Sequence, residues 1–163
     1  MSFYIIIRGP LGSGKTTIAR ALSKAIGAEL VSIDLILDEF PDDNSIRTFL
    51  KANKVAAKMA LRSLTNGVPV VLDESFSYRR QIEDIVTRLP YPHEVFTLNA
   101  PLPVCIERDA HRERAYGTKA ARDVHRKIAR FDYGNPLDAT RPVEESVSEI
   151  MSILSKRVRM KVE

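Results

Sequence analysis

The residues with the clearest chemistry lie near the amino terminus. Residues 9–16 read Gly-Pro-Leu-Gly-Ser-Gly-Lys-Thr, a full match to the phosphate-loop pattern G-x-x-x-x-G-K-[ST]. In such a loop the main-chain N–H groups face an anion at the positive end of the following helix. Lys15 is expected to reach the β- and γ-phosphates of a nucleotide, and the Thr16 hydroxyl to hold Mg²⁺. The predicted nucleotide contacts are Gly9, Leu11, Gly12, Ser13, Gly14, Lys15, Thr16 and Thr17.

The segments on either side of this loop support that interpretation. Residues 3–8 form a predicted strand whose apolar, β-branched run is typical of a buried parallel strand. Residues 17–26 place apolar side chains at helical spacing and end before Gly27, a common helix stop. Since strand, glycine loop and helix follow one another as the motif requires, the sequence predicts nucleotide binding.

An acidic residue follows each of the next two predicted strands. The second strand, residues 29–33, precedes Asp34, and the third strand, residues 68–72, precedes Asp73. Ligands of open parallel sheets bind beyond the carboxyl ends of the strands. Asp73 is therefore expected to hold Mg²⁺, with Glu74 as the weaker alternative. The non-catalytic alternative for Asp73 is a helix N-cap.

Asp34 is the candidate general base. Phosphoryl transfer needs an acceptor oxygen in line with the γ-phosphate and a carboxylate that takes the proton of that hydroxyl. Asp38 and Glu39 compete for this role, and Asp34 is favoured because it alone directly follows the strand. The non-catalytic alternative for Asp34 is again a helix N-cap.

Positive charge is concentrated in one part of the chain. Residues 108–130 hold eight Lys or Arg against three acids, a net charge of +5, whereas the whole chain carries +4. Such a run of positive charge usually marks a solvated helix face. In a chain with a phosphate loop, it instead favours a basic lid that closes on an anionic substrate. Arg108 and Arg112, four residues apart on one predicted helix face, are expected to support the transferring phosphoryl group, while Arg114 points elsewhere.

The alternation of strands with helical patterns predicts an α/β fold in three layers. We expect a mostly parallel sheet of about five strands, helices on both faces and a basic helical lid, within one domain of residues 1–163. The remaining predicted elements are helix 44–65, helix 78–88, strand 94–98, helical segment 103–131, an extended piece at 137–140 and helix 143–158. Val55 and Met59 are expected on the apolar stripe of the first of these, and residues 159–163 are expected to fray.

Composition excludes several classes of protein. No apolar run approaches the ~20 residues of a membrane span, and no secretory leader is recognisable. The single cysteine, Cys105, cannot form an intramolecular disulfide and is expected to be buried, which favours a cytoplasmic location. The three histidines lack zinc-site spacing. Asp73-Glu74-Ser75-Phe76 lacks the glycine that a regulatory GTPase needs after this strand.

With the loop, Asp34, Asp73 and the arginine-rich segment in this order, the chain resembles the small P-loop kinases related to shikimate, gluconate and adenylate kinases. Within that class it looks most similar to the kinase domain of phage-type polynucleotide kinase and its relatives. That finer likeness depends on Arg79-Arg80 after Asp73 and on Arg108…Arg112…Gly117-Thr118-Lys119-Ala120. Arg79 and Arg80 are further candidates for holding the acceptor.

The resemblance implies ATP and Mg²⁺ as cofactors and a γ-phosphoryl transfer to a hydroxyl. Asp34 would be the base, Lys15 and Thr16 the phosphate and Mg²⁺ ligands, and Arg108 and Arg112 the lid arginines. The segment 138–142 looks like the turn that lies against adenine, which places Thr140 and Arg141 at the nucleotide. The expected partners are a nucleoside triphosphate and a small hydroxyl acceptor, with the protein a monomer or homodimer and not membrane-bound.

The chain departs from the polynucleotide-kinase pattern at one telling position. Those enzymes carry an arginine three residues after the base to grip the acceptor's phosphate, and here that residue is Leu37. A small-molecule acceptor, whether metabolite, nucleoside or nucleotide, is therefore favoured over a nucleic-acid 5′-hydroxyl. The alternatives are a polynucleotide kinase and a module that binds nucleotide without turnover.

Overall fold

A five-stranded parallel sheet forms the centre of the protein, with strand order β2-β3-β1-β4-β5. The computed structural model describes residues 2–160, with side chains to residue 157. The strands are β1 (Tyr4–Arg8), β2 (Glu29–Ser32), β3 (Val70–Glu74), β4 (His93–Asn99) and β5 (Asn135–Asp138). The helices are α1 (Lys15–Ile26), α2 (Ile33–Leu37), α3 (Ile46–Thr65), α4 (Arg79–Arg88), α5 (Leu102–Ala110), α6 (Thr118–Ile128) and α7 (Val143–Met160). The predicted three-layer α/β fold is confirmed.

The sheet buries both of its faces because helices cover each of them. Every residue of β1 is buried, and successive side chains alternate between two hydrophobic clusters. Tyr4 and Ile6 join the cluster under α3 and α4, whereas Ile5 and Ile7 join the cluster under α1 and α7. This two-sided burial explains the continuous apolar run in the sequence of β1.

The face that α3 presents to the core differs from the predicted stripe. Val55 and Met59 are 42% and 41% exposed, so their assignment to the core was wrong. The helix instead contacts the sheet through small residues, among which Ala52, Ala56 and Ala60 are fully buried. Alanine side chains let the helix lie close to the sheet, which an apolarity pattern weighted towards large residues does not detect.

The basic segment is two helices rather than the single predicted one at 103–131. Helix α5 ends at Ala110, and a linker of residues 111–117 leads to α6. Asp109 is 1% exposed and accepts hydrogen bonds from the backbone N–H groups of Tyr116 (3.2 Å) and Gly117 (2.9 Å). The carboxylate thus holds the linker, and Arg112 lies in that linker rather than on a helix face shared with Arg108.

Several predicted boundaries move by a few residues. β2 ends at Ser32 and Asp34 lies in the first turn of α2, while Asp73 lies inside β3 instead of after it. The last strand is Asn135–Asp138 rather than residues 137–140. Helix α7 continues to Met160, and the rest of the segment expected to fray, residues 161–163, lies outside the described residues.

Arg8 is a buried arginine whose role the sequence did not reveal. Its side chain is 0% exposed and donates hydrogen bonds to the Phe76 carbonyl (3.1 Å), Thr97 Oγ1 (3.2 Å) and the Ile128 carbonyl (3.1 Å). Its guanidinium carbon also lies 4.0 Å from the centroid of the Phe131 ring. Burial, aided by nearby Arg79, lowers the pKa of Arg8 to about 10, so the group remains charged at neutral pH. Arg8 therefore connects the central strand to the end of α6.

Replacing Arg8 with methionine is expected to destabilise the fold. The change keeps much of the side-chain length but leaves two buried carbonyls without their donor, and we expect a loss of about 2–4 kcal/mol in the free energy of unfolding. Urea denaturation followed by circular dichroism measures this. Arg80→Met, at an exposed site on α4, is the control and is expected to change stability by less than about 0.5 kcal/mol. Equal stabilities of the two variants would contradict the connecting role of Arg8.

Candidate active site

The phosphate loop joins β1 to α1 and lies against α5. Gly14 is the N-cap of α1 and has a φ of 90°, and Gly12 has a φ of 77°. A Cβ atom at Gly12 would come within 2.1 Å of the Cys105 carbonyl oxygen, so only glycine allows this close approach. Lys15 is 5% exposed, and its Nζ donates to the Pro10 carbonyl at 3.2 Å. The ammonium group is thereby held at the start of the helix.

A cavity of about 390 Å³, here called the nucleotide cavity, opens over this loop. It brings together residues from three separate parts of the chain: the loop with the start of α1, the basic segment, and the turn after β5. The predicted nucleotide contacts that line it are Gly12, Ser13, Gly14, Lys15, Thr16, Thr17 and Arg141, and both predicted catalytic arginines, Arg108 and Arg112, line it as well. The buried Ser13 Oγ has no hydrogen-bond partner among the described residues.

Arg108 links the phosphate loop to the turn after β5. Its Nη1 donates to the Ala139 carbonyl at 2.9 Å and to the Ser13 carbonyl at 3.4 Å. Arg112 approaches the same cavity from the linker, and its Nη1 lies 4.0 Å from a carboxylate oxygen of Asp109. Two guanidinium groups thus border the space above Lys15, and Asp109 positions one of them.

The structure places other predicted residues differently. Of the described residues, Gly9 and Thr140 are not part of the lining of the nucleotide cavity, and Leu11 lines a second cavity instead. A Cβ at Gly9 would lie 2.8 Å from Ser13 Oγ and 2.9 Å from Leu98 Cβ, so this glycine serves loop packing. Thr140 bonds to the Asp138 carboxylate through its N–H and hydroxyl groups. Arg141 lines the nucleotide cavity and is also paired with Glu149.

The remaining arginine candidates lie away from both cavities. Arg79 stands over the rings of Phe131 and Tyr133, with its guanidinium carbon 5.1 Å and 5.4 Å from their centroids. Arg80 and Arg114 are exposed and are not among the described lining of either cavity. These positions indicate structural or surface roles for the three arginines.

Asp73 is buried without a compensating partner. It is 0% exposed, and neither carboxylate oxygen has a hydrogen-bond partner among the described residues. An unpaired buried carboxylate is costly in the absence of a cation. Helix capping does not explain it, because the N-cap of α4 is Tyr78. Asp73 pairs with Ile7 on β1, the strand that leads into the phosphate loop, and it is not among the lining residues of either cavity described here. Its orphaned carboxylate at this end of the sheet fits a Mg²⁺ ligand.

The donor set also favours Mg²⁺ over a metal held by protein ligands alone. Within residues 2–160, no group of three or more His, Cys, Asp or Glu side chains could hold a metal ion. Mg²⁺ typically takes one or two protein ligands and completes its octahedron with waters and substrate phosphates. Asp73, with the Thr16 hydroxyl at the nucleotide cavity, is a donor set of that kind.

Asp34 faces a second cavity of about 670 Å³, here called the acceptor cavity, between α2, the start of α3 and α6. The N-cap of α2 is Ser32, so the capping alternative for Asp34 is excluded. Burial raises the pKa of Asp34, and Asp73 and Asp38 raise it further, whereas Lys15 and Arg112 lower it. Asp34 therefore belongs to the same electrostatic site as Lys15. Asp38 also lines the cavity; Glu39 is exposed and is not among its lining residues.

Glu74 is the site residue whose position the sequence reasoning missed. The sequence predicts Glu74 only as an alternative Mg²⁺ ligand, but it lines the acceptor cavity and is 3% exposed. Its Oε2 accepts hydrogen bonds from the Phe76 N–H (2.5 Å) and Gln81 Nε2 (3.3 Å). Burial, together with the charge of Asp34, raises the pKa of Glu74 to about 8. The sequence signal was a second carboxylate directly after Asp73, which β-strand alternation sends to the opposite face.

None of the helices within residues 2–160 combines the length and the apolarity that a membrane span requires. This agrees with the absence of a long apolar run in the sequence.

Comparison with known proteins agrees with this geometry. The model of the family described as AAA domain matches residues 5–132. A probable adenylyl-sulfate kinase of Archaeoglobus fulgidus is 31% identical over 121 residues, which cover 67% of this chain and 74% of that protein. The polynucleotide-kinase likeness remains a prediction at that finer level.

Solved structures share the fold over nearly the whole length. A gluconokinase from Sinorhizobium meliloti superposes with a TM-score of 0.73 at 18% identity, covering 98% of this chain and 97% of the other. An APS kinase from Mycobacterium tuberculosis, solved in complex with AMPPNP and APS, gives a TM-score of 0.78 at 14% identity, covering 94% and 98%. The family match covers most of the chain and the curated relative is a kinase, so the chain belongs to the AAA-domain family and is a small P-loop kinase.

Proposed function

We propose that the protein is an ATP-dependent phosphotransferase that moves the γ-phosphoryl group to a hydroxyl of a small molecule. The observation that carries this proposal is the placement of Lys15 and Asp34. Lys15 lines the nucleotide cavity, Asp34 lines the acceptor cavity, and the charge of Lys15 lowers the pKa of Asp34. The two charges therefore interact across neighbouring cavities, as the transfer of a phosphoryl group from nucleotide to acceptor requires.

The reaction assigns one role to each of these groups. The acceptor oxygen forms a bond to the γ-phosphorus, the bond from that phosphorus to the β–γ bridging oxygen breaks, and the hydroxyl proton passes to the Asp34 carboxylate. Lys15 stabilises negative charge on the β- and γ-phosphates. Arg108 and Arg112, at the edge of the nucleotide cavity, stabilise the transferring group. ADP and the phosphorylated acceptor leave as products.

Mg²⁺ would be held by Asp73 and Thr16 together with phosphate oxygens. When bound, the ion would neutralise charge on the β- and γ-phosphates. The unpartnered carboxylate of Asp73 supports this assignment. Ala139 and Arg141, which line the nucleotide cavity, are proposed to border the base of the nucleotide. A cytoplasmic location, consistent with the one buried cysteine, is part of the same proposal.

Asp73→Asn is expected to raise the Mg²⁺ concentration for half-maximal activity by at least about tenfold, because an amide is a weaker ligand for a hard cation. The same variant should fold normally without nucleotide, since it removes an unpaired buried charge. Thermal unfolding with and without Mg²⁺ and ATP gives a second readout: the stabilisation by Mg²⁺ with ATP should shrink. An unchanged Mg²⁺ requirement would remove Asp73 from the metal site.

A nucleic-acid acceptor is less well supported by the site. Leu37, at the position where polynucleotide kinases carry an arginine, lines the acceptor cavity. No arginine is among the described residues that line this cavity. Oligonucleotides with a 5′-hydroxyl therefore serve as the comparison substrate, and steeply salt-dependent binding of them would favour that alternative.

The proposed activity is tested by ADP release. Purified protein is incubated with ATP and Mg²⁺, and a panel of hydroxyl metabolites, nucleosides and 5′-hydroxyl oligonucleotides is screened for stimulated ADP formation. We expect stimulation by a small molecule, with transfer of ³²P from the γ-position to that molecule. Binding of ATP without stimulation by any of them would instead indicate a nucleotide-binding module without turnover.

A further inference from the structure

The linker between α5 and α6, residues 111–117, borders both cavities. Its Arg112 lines the nucleotide cavity, and its Tyr116 lines the acceptor cavity. The guanidinium carbon of Arg112 lies 5.3 Å from the centroid of the Tyr116 ring, so the two side chains pack on each other. Every residue of the linker is exposed. Because burial in the core does not fix the linker, its position depends on specific polar contacts.

Asp109, in the last turn of α5, supplies such contacts. One carboxylate oxygen accepts the hydrogen bond from the Tyr116 N–H, and the other accepts the hydrogen bond from the Gly117 N–H. The oxygen that bonds to the Tyr116 N–H also lies 4.0 Å from Arg112 Nη1. A single buried carboxylate therefore bonds to the carboxyl end of the linker and attracts the arginine near its start.

The backbone of the linker is shaped for this contact. Gly117 has a φ of 94° and a ψ of 160°, a conformation that is essentially restricted to glycine. A Cβ atom at Gly117 would meet no other atom within 4 Å, so the backbone conformation, and not a lack of space, requires the glycine. If the linker moved away, the buried Asp109 carboxylate would lose both N–H donors, which is costly. The linker is thus held in one defined position.

Both ends of the linker are close enough to Asp34 to interact with it electrostatically. Burial raises the pKa of Asp34, and the charge of Arg112 opposes that rise. Burial also raises the pKa of the Tyr116 hydroxyl, and the charge of Asp34 raises it further. A displacement of the linker would therefore alter the nucleotide side and the acceptor side of the site together.

We propose that Asp109 is a positioning residue for phosphoryl transfer, which fixes the linker so that Arg112 meets the γ-phosphate while Tyr116 borders the acceptor. The inference rests on the proposed kinase function and adds to it a residue that touches neither substrate. Because Arg112 pairs with the γ-phosphate, an ATP analogue should stabilise the linker in this position. ADP, which lacks that group, should not.

A double-mutant cycle tests whether Asp109 acts through Arg112. Calorimetry measures the binding of a non-hydrolysable ATP analogue and of ADP, each with Mg²⁺, to the wild-type protein, Asp109→Asn, Arg112→Ala and the double variant. Each single variant should weaken binding of the analogue at least about fivefold and change binding of ADP little. The double variant should bind the analogue no more weakly than Arg112→Ala alone. Losses that add in the double variant would overturn the proposal.

Limited proteolysis gives a readout of the linker itself. Trypsin cleaves after arginine, and Arg112 and Arg114 are exposed in the linker. Below the unfolding temperature, Asp109→Asn should increase cleavage after these two residues at least about fivefold, because the linker opens more often. The ATP analogue should slow this cleavage in the wild-type protein more than ADP does, and the difference should disappear in Asp109→Asn. Unchanged cleavage of the folded variant would contradict the positioning role.

Two further variants complete the experiment. Glu113→Gln removes one negative charge from the same linker at an exposed site outside the described lining of both cavities. It is the matched control and should bind and be cleaved like the wild-type protein. Gly117→Ala disturbs the same contact from the backbone side and serves if Asp109→Asn does not fold. It should lose affinity for the ATP analogue and gain linker cleavage, and wild-type behaviour in both assays would overturn the proposal.

The proposed kinase function can fail separately. If a small molecule stimulates ADP formation while the losses of Asp109→Asn and Arg112→Ala add, the kinase proposal stands and the role of Asp109 is overturned. If the losses do not add and no hydroxyl compound stimulates ADP formation, the role of Asp109 in γ-phosphate binding stands and the kinase proposal loses support.

Discussion

Lys15→Ala is expected to abolish phosphoryl transfer, with a loss of at least about 10³-fold in the acceptor-dependent rate. The ammonium of Lys15 is almost fully buried at the start of α1 and lines the nucleotide cavity. A charge at such a low-dielectric position interacts strongly with a γ-phosphoryl group that gains negative charge during transfer. The fold should survive, because the side chain makes one hydrogen bond, to the Pro10 carbonyl.

The measurement for this variant is steady-state ADP formation together with a folding check by thermal unfolding. Lys24→Ala is the matched control, since Lys24 lies exposed in the last turn of the same helix. We expect this control to keep the wild-type rate. A Lys15→Ala protein that is folded and retains more than a tenth of the activity would remove the phosphate loop from the mechanism.

Asp34→Asn should lower the acceptor-dependent rate by roughly 10²–10⁴-fold while leaving the affinity for ATP almost unchanged. The amide preserves the shape of the side chain and cannot accept the hydroxyl proton. Asp34 lines the acceptor cavity and not the nucleotide cavity, which is why the two effects should separate.

Single-turnover transfer and calorimetric titration with a non-hydrolysable ATP analogue measure the two quantities. Glu39→Gln is the control and should behave like the wild-type protein. Glu39 is also acidic and lies five residues after Asp34, but it is exposed and outside the described cavity lining. Near-normal turnover of Asp34→Asn would show that another group takes the proton, and Glu74 would be the next candidate because it shares the cavity wall.

The part of the site that sequence could predict is local in the chain. Gly12, Gly14, Lys15 and Thr16 act through the backbone shape of one loop between one strand and one helix, and both flanking elements are readable from periodicity. Asp34 and Asp73 were found because parallel strands end at the same edge of a sheet. Only the structure excluded the alternative that these two residues are helix caps. A cap and a ligand cannot be distinguished in sequence until the first residue of the helix is known.

The misplaced predictions concern features that depend on distant contacts. Arg112 does not lie on the expected helix face, because the Asp109 carboxylate accepts hydrogen bonds from the backbone N–H groups of residues 116 and 117 and stabilises a linker there. Val55 and Met59 were assigned to the core by their apolarity, but alanines occupy the contact because the helix lies close to the sheet. In each case a tertiary contact outweighs a local preference.

The sequence by itself determined the fold class and the phosphate loop, because each depends on short-range order: hydrophobic periodicity, turn residues and a motif contained within eight positions. The kinase class followed from the resemblance of the loop, Asp34, Asp73 and the arginine-rich segment to the small P-loop kinases. Tertiary structure alone decided what fills the space around the loop. Arg8, ordinary in the sequence, bonds to carbonyls 68 and 120 residues away, and Glu74 meets α2 and α6 across one cavity. The packing of helices on the sheet decides which charged side chains share a cavity, because it brings together residues that are far apart along the chain.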